Sequence, residues 1–384
     1  MFVCCASEGF GQVETVIHNF LGGKNGSQPM APVTVLGDHV GGTTYNGGES
    51  FVGKVFKLTP ETGQPEWTFR RLFSFTGTTT GVIPMGAVIA SKNGVLYGTA
   101  IESTPNNGCG VVYELVPPSG GQTTWTENII YQFTCLGDGM RPIGRLAKDG
   151  KGALYGVTKF GGGASGCGTV FKLIPPSSGQ TNWSFATIYT FAGGTADGCT
   201  PNGDLLYDSV SKMIFGTTIS GGLRGLGTVY GLTPTGPLSY TKTGIHDFEG
   251  DANDAHDGAL PNGGLVGGAG DLWGTTYSGG ASNNCCGIVF QLVQEISGDP
   301  NYTLIVQHQF TGGQDGATPM AGLYEDASRR VWGTTYKGGP VQRGAISELF
   351  SSFIPTRYES VYTTTRFLTP STVARRMAPF RARL

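Results

Sequence analysis

The tripeptide Gly-Thr-Thr, or a close variant, recurs six times: Gly42-Thr43-Thr44, Gly98-Thr99-Ala100, Gly156-Val157-Thr158, Gly216-Thr217-Thr218, Gly274-Thr275-Thr276 and Gly333-Thr334-Thr335. Successive copies begin 56, 58, 60, 58 and 59 residues apart. Five of the six follow an aromatic residue, namely Tyr97, Tyr155, Phe215, Trp273 and Trp332. Three more markers recur in the same order. Gly-x-Val-Phe-x-Leu stands at Gly53–Leu58, Gly168–Leu173 and Gly287–Leu292, with Tyr113 and Tyr230 in place of Phe and a degenerate copy at Gly344–Leu349. An aromatic segment ends on Phe20, Phe75, Phe133, Phe191, Phe248 and Phe310. A loop x-Gly-x-x-Pro ends on Pro29, Pro84, Pro142, Pro201, Pro261 and Pro319. A period of this length, held by four markers, means a supersecondary unit that buries its apolar surface against copies of itself.

Each unit reads as four short strands. Strand a follows the proline, as in Gly144–Leu146 and Gly203–Leu206. Strand b carries Leu-Tyr-Gly-Thr-Thr, and strand c carries Gly-x-Val-Phe-x-Leu. Strand d leads from Trp67, Trp125, Trp183, Tyr240 or Tyr302 to the phenylalanine marker. The segments are β-branched and aromatic and are bounded by Gly, Pro, Asn and Asp, as strands are. No 3.6-residue period is sustained. The imperfect polar–apolar alternation suits sheets packed on both faces. The glycine inside strand b marks close backbone approach.

The ends of the pattern decide the architecture. The chain opens on a strand d, Val13–Phe20, before any a, b or c, and loses the pattern after a strand c at Phe350. Six a-b-c sets need six d strands. The sequence therefore predicts that residues 13–20 pair with the strand near Gly344–Phe350, leaving no free edge. The expected fold is all-β: a six-bladed β-propeller with four strands per blade, over residues 13–350. Residues 1–12 are read as the remnant of a signal segment. Residues 351–384 contain no glycine and six arginines, and are read as a flexible basic tail outside the fold.

Composition agrees with one large β body. Glycine accounts for 65 of 384 residues and charged residues for 14%, against averages of roughly 7% and about 25%. There is no Gly-X-Y period, and 11% aromatic residues exclude a disordered chain. A net charge of −2 offers nothing to nucleic acid or an anionic membrane. No apolar run reaches the roughly 18 residues of a membrane span.

The unit Tyr-Gly-Thr-Thr…Gly-Gly…Gly-Thr-Val-Phe-Lys-Leu…Phe…Asp-Gly…Pro, best seen over Tyr155–Pro201, resembles the GloVer tandem repeat of bacterial "choice-of-anchor" proteins. The resemblance covers residues 13–350. It implies a secreted or surface-held bacterial protein and carries over no catalytic residue.

Strand order places the b–c and d–a loops on one face of the molecule. The x-Gly-x-x-Pro loops begin with Asn25, Thr80, Asp138, Asp197, Asp257 and Asp315. The sequence thus predicts a rim of four carboxylates and Asn25 around one mouth, available to a cation or to sugar hydroxyls. The competing reading is that Asp-Gly simply builds tight turns. The longest such loop holds Glu249, Asp251, Asp254 and Asp257, a set of oxygen ligands suited to calcium, though not in EF-hand spacing. The same residues read equally as a solvated loop. His18, His246 and His308 share one repeat position with Phe73, Tyr131 and Tyr189 and read as packing residues. No nucleophile elbow, phosphate loop or metalloprotease motif is present.

Eight cysteines include Cys109 and Cys167, each just before a strand c. Antiparallel neighbours bring Cys109 to Cys135 and Cys167 to Cys199, so both bridges are predicted, which requires an oxidising compartment. Taken together, the sequence points to a monomeric extracellular binding module without catalysis, with a glycan or another surface protein as partner. A polysaccharide hydrolase or lyase working at the channel mouth, and a structural or adhesive surface protein, are the alternatives.

Overall fold

The computed structural model describes residues 17–63, 67–77, 81–103, 108–250, 256–268, 270–280, 285–294, 301–326 and 328–339, and the strands Ile346–Phe350 and Thr364–Leu368. Among these residues the only helix is the 3-10 turn Gly23–Asn25, and none is long and apolar enough to cross a membrane. The protein is all-β. Each repeat forms its own antiparallel sheet, with strands hydrogen-bonded in sequence order a-b-c-d. Sheet 3 is the most regular: Met140–Lys148, Leu154–Phe160, Thr169–Ile174 and Ser184–Thr190. Strand a is split in sheets 4 and 5, into Gly198–Pro201 with Leu206–Tyr207 and Ala259–Pro261 with Val266–Gly268.

The sixth sheet corrects one expectation. Its strand Ile346–Phe350 pairs with Thr364–Leu368, from the Arg-rich tail read as lying outside the fold. The predicted partner was residues 13–20. Of these, residues 13–16 lie outside the described residues. Residues 17–20 pack on the first sheet instead. Trp67 N–H donates to Ile17 O (2.9 Å), and the His18 ring stacks on Phe69 (4.6 Å). The edge of Ile346–Phe350 needs only an extended segment with matching amides, and Thr364-Thr-Arg-Phe-Leu368 supplies a β-prone one.

The repeat markers turn out to be the contacts that fix one strand, or one sheet, against the next. A side chain on Gly42, Gly98, Gly156, Gly216 or Gly274 of strand b would collide with the strand c ring lying across it: Phe56, Tyr113, Phe171, Tyr230 or Phe290. The glycine opening strand c has φ near +100°: 102° at Gly53, 91° at Gly110, 96° at Gly168 and 98° at Gly227. The marker proline of the following repeat packs directly on it. The strand d phenylalanine meets the strand c ring of the next sheet edge-on. The centroid distances are 5.2 Å for Phe75–Tyr113, 5.3 Å for Phe133–Phe171, 5.1 Å for Phe191–Tyr230 and 5.3 Å for Phe248–Phe290. Phe20 meets Phe56 at 5.1 Å in the same way. Residues 17–20 therefore stand against sheet 1 as an outer strand stands against the following sheet elsewhere.

Between sheets, the first threonine of the marker tripeptide donates to a backbone carbonyl of the following sheet. Thr43 bonds Gly86 O, Thr99 bonds Gly144 O and Thr217 bonds Gly263 O, at 3.2–3.3 Å. One device has no sequence signal. The residue before each marker proline is left-handed without being glycine: Gln28, Ile83, Arg141, Thr200, Leu260 and Thr318, with φ between 51° and 60°. In sheets 2 to 6 its N–H reaches a carbonyl of the preceding sheet, as in Arg141 N to Cys109 O (2.8 Å) and Thr200 N to Cys167 O (2.9 Å). This bond offsets the cost of a conformation that L-residues avoid.

Candidate functional site

The b–c and d–a loops do share one face. Backbone pairs tie them together within each repeat, as in Gly198 to Gly221, Ala259 to Ser278 and Met140 to Phe160. The four aspartates of the predicted rim lie on that face, but their oxygens are engaged by the protein itself. Asp138 accepts from Thr134 N (2.8 Å), Thr134 Oγ1 (2.7 Å) and the Tyr131 hydroxyl (2.9 Å). Asp197 accepts from Ala192 N, Gly198 N and the Tyr189 hydroxyl. Asp257 takes Glu249 N and lies 2.8 Å from His246 Nε2. Asp315 takes Thr311 N and Thr311 Oγ1, with His308 Nε2 at 3.3 Å. Asp197, Asp257 and Asp315 are buried, and Asp138 is half-buried.

These contacts give the Tyr/His position its chemistry. In four sheets the ring two residues before the marker phenylalanine points a polar atom at the aspartate of its own d–a loop. The carboxylate also caps the amide that follows the phenylalanine. Each aspartate thus holds the turn out of strand d, as a local Asx-type anchor does. Burial raises the Tyr131 and Tyr189 phenol pKa values, and the adjoining carboxylates raise them further. Burial lowers that of His308, against the pull of Asp315.

Asn25 is exposed in the 3-10 turn. Of the predicted cation ligands, Asp251 and Asp254 lie outside the described residues, and Asp257 is engaged as above. Among the described residues no cluster of three His, Cys, Asp or Glu side chains could hold a metal.

Both predicted disulfides are formed. Cys109–Cys135 has a Cα separation of 5.3 Å and joins the start of strand c in sheet 2 to the loop leaving strand d of the same sheet. Cys167–Cys199 has one of 4.5 Å and joins the b–c loop of sheet 3 to strand a of sheet 4. A third links the adjacent residues Cys285 and Cys286. Cys135 explains its own location. It is left-handed (φ 61°) at a position, two past the phenylalanine marker, that is glycine in Gly22, Gly77, Gly193, Gly250 and Gly312.

Two kinds of site residue escape a sequence reading. The first is the residue after each marker proline, where strand a begins. In sheets 4 and 5 these are Asn202 and Asn262, with Asn202 Nδ2 donating to Asn262 Oδ1 (2.7 Å) and Asn262 Nδ2 to Met320 O (3.3 Å). Met30 and Met320, at the same position in sheets 1 and 6, are exposed. Amides and thioethers therefore recur at this repeat position. The second is Lys242, whose ammonium reaches back from sheet 4 to Asp197 Oδ1 at 2.5 Å, with both side chains largely buried. Burial pushes the Asp197 carboxyl up, but Lys242 and the two amides outweigh it and hold its pKa below the usual range.

No curated protein matches the chain. Among solved structures it is similar to a putative oxidoreductase (glucose dehydrogenase) from Thermus thermophilus, at 14% identity over 82% of this chain and 92% of that one, with a TM-score of 0.47. It is similar to an α-L-arabinofuranosidase from Lactobacillus brevis at 13% identity, over 71% of this chain and 94% of that one, with a TM-score of 0.38. An exo-1,5-α-L-arabinanase from a bovine ruminal metagenomic library matches at 10% identity, over 77% and 99% of the two chains, with a TM-score of 0.36. The family model described as the Gloeobacter/Verrucomicrobia repeat matches residues 100–347, from strand b of the second sheet into the sixth. With most of its length matched, and with the marker residues accounted for as repeated contacts, the chain belongs to the Gloeobacter/Verrucomicrobia repeat family.

Proposed function

We propose that the chain is a monomeric, extracellular six-bladed β-propeller that binds an uncharged glycan, without turning it over, at the face bearing the b–c and d–a loops. Residues 13–350 form its body, and Thr364–Leu368 completes the last sheet. One observation carries the reading: the three disulfides all lie on that face. This is also where the repeats differ most in sequence. Loops ordered before binding cost less to order on binding, so stapling a variable face favours recognition there. Disulfides also favour an oxidising compartment outside the cytosol.

Support for a ring comes from the recurring edge-on phenylalanine contact, which Phe20 supplies to the first sheet. Support for an uncharged ligand comes from the mouth itself. It offers the amides of Asn202 and Asn262 and exposed methionines, while the neighbouring carboxylates serve as loop anchors. The test is a glycan array probed with the full chain and with Asn202→Ala/Asn262→Ala. Neutral oligosaccharides should bind the first, and the double variant should lose most of that signal at an unchanged melting temperature. Failure of every glycan to bind, or undiminished binding by the double variant, would refute the proposal.

A further inference from the structure

Cys286 occupies the repeat position of Cys109 and Cys167, just before strand c. Those two bridge to the chain beyond strand d. In sheet 5 the residue facing Cys286 across the loops is Gly312: a Cβ built there would lie 3.1 Å from Cys286 Sγ. With no sulfur opposite, Cys286 bonds its neighbour Cys285, at a Cα separation of 3.7 Å. The two sulfurs are unequally placed, since Cys285 is exposed and Cys286 is buried. Cys286 also has φ 84°, a left-handed value that neither Cys109 nor Cys167 adopts.

A disulfide stabilises by restricting the unfolded chain, and the restriction grows with the length of loop closed. Cys109–Cys135 and Cys167–Cys199 join residues 26 and 32 apart, whereas Cys285–Cys286 joins residues 1 apart. The vicinal bond therefore adds almost nothing to fold stability, yet it holds a buried residue in an unfavourable backbone region beside the candidate face. Thr318 N donates to Cys286 O (2.8 Å), and Thr318 leads through Pro319 to Met320.

We propose that Cys285–Cys286 is a thiol-exchange site for low-molecular-weight thiols. The thiolate of the external thiol attacks Sγ of Cys285, the exposed sulfur. A new S–S bond forms there, the Cys285–Cys286 bond breaks, and Cys286 leaves as a thiolate that takes a proton from water. The product carries a mixed disulfide on Cys285 and a thiol on Cys286. A second thiolate attacking the mixed disulfide releases the external disulfide and leaves both cysteines reduced; return attack by Cys286 restores the starting bond. Exchange depends on access and on which sulfur is attacked, and both select Cys285. Once opened, Cys286 is free to adopt the backbone of Cys109 and Cys167, which resets the b–c loop of sheet 5.

The test is incubation of the folded full chain with reduced glutathione, acid quenching and peptide mapping by mass spectrometry. A glutathione adduct on Cys285 should appear at least tenfold faster than any opening of Cys109–Cys135 or Cys167–Cys199. Equal rates at the three bridges, or no adduct on Cys285, would overturn the proposal. Cys285→Ser should melt as the parent does and take up no glutathione; an adduct on another cysteine of that variant would also overturn it. In Cys285→Ser/Gly312→Cys, a bond from Cys286 across the loops should form and resist glutathione, as Cys109–Cys135 does. Exchange at that bond as fast as at the vicinal one would show that accessibility does not govern the reaction.

Discussion

The joint between sheets 3 and 4 and the joint between sheets 1 and 2 use the same repeat positions with opposite electrostatics. At the first, Lys242 of strand d reaches Asp197 in the preceding d–a loop, 2.5 Å away. At the second, the position equivalent to Lys242, six residues before the marker phenylalanine, is Glu127. The loop residue equivalent to Asp197 is Thr80, which lies outside the described residues. Oε1 of Glu127 is buried with no hydrogen-bond partner among the described residues. Burial pushes its pKa up to about 8, opposed only in part by the Gly81 amide. One joint holds a complementary pair, and the other holds a buried acid, met by the Gly81 amide, that stays protonated near neutrality. A repeated scaffold thus tolerates large differences in a single joint when the remaining contacts are kept. Thr43 to Gly86 O and Phe75 on Tyr113 both persist at the poorer joint.

The largest effect is expected from breaking the complementary pair. Lys242→Met removes the cation and leaves Asp197 as an uncompensated buried charge, which costs about 3–5 kcal/mol. Urea denaturation at pH 7 reads this directly. Adding Asp197→Asn should recover much of the loss, because the penalty lies in the stranded charge. If the single variant costs under about 1 kcal/mol, the pair behaves as a surface ion pair and the contrast between the joints disappears. The pH dependence has a fixed sign. The folded pKa of Asp197 is depressed, so its contribution is present above the unfolded carboxylate value and is lost as pH falls through the folded one.

Glu127 gives the opposite sign and a smaller effect. Its folded pKa of about 8 stands above the ordinary glutamate value of 4.5. The wild-type chain therefore has this group's full contribution below the unfolded value and loses it as pH rises towards 8. Glu127→Gln should melt close to the wild type at pH 5 and above it at pH 8.5, by about 2 kcal/mol after allowance for partial solvent access. Parallel melting curves at the two pH values would mean that the carboxylate has a partner in solution.

How much of this was legible follows from what each residue contacts. The marker glycines, prolines, threonines and phenylalanines recur because each meets another marker, so one contact constrains two positions. That is why six repeats, their strand order and two disulfides could be read from the sequence. Position 127/242 touches a variable loop and is Phe69, Glu127, Phe185, Lys242 and Leu304 in successive sheets, so no pattern announces it. The left-handed residues before the prolines share a backbone state but no side-chain type. The aspartates were visible as a rim. Their consumption by Tyr131, Tyr189, His246 and His308 was not, because those rings also pack as aromatics. The outer strand of the sixth sheet comes from a segment with none of the markers.

The smallest effect sharpens the comparison from the other side. The joint between sheets 3 and 4 has the ion pair but lacks one contact found at its neighbours, because Val157 stands where Thr43, Thr99 and Thr217 donate to a carbonyl. Val157 is 2% exposed and belongs to the core cluster around Val170 and Phe191. Val157→Thr keeps the shape and adds a hydroxyl whose repeat-equivalent acceptor is Gly203 O. Two effects nearly cancel: burying the hydroxyl costs about 1–3 kcal/mol if it finds no acceptor, whereas a formed bond offsets that cost. If all joints share one backbone geometry, stability should change by less than about 0.5 kcal/mol in either direction. A loss of about 2 kcal/mol would mean that the sheet 3–4 joint is spaced differently, with Lys242–Asp197 holding it in place of the threonine rather than in addition to it.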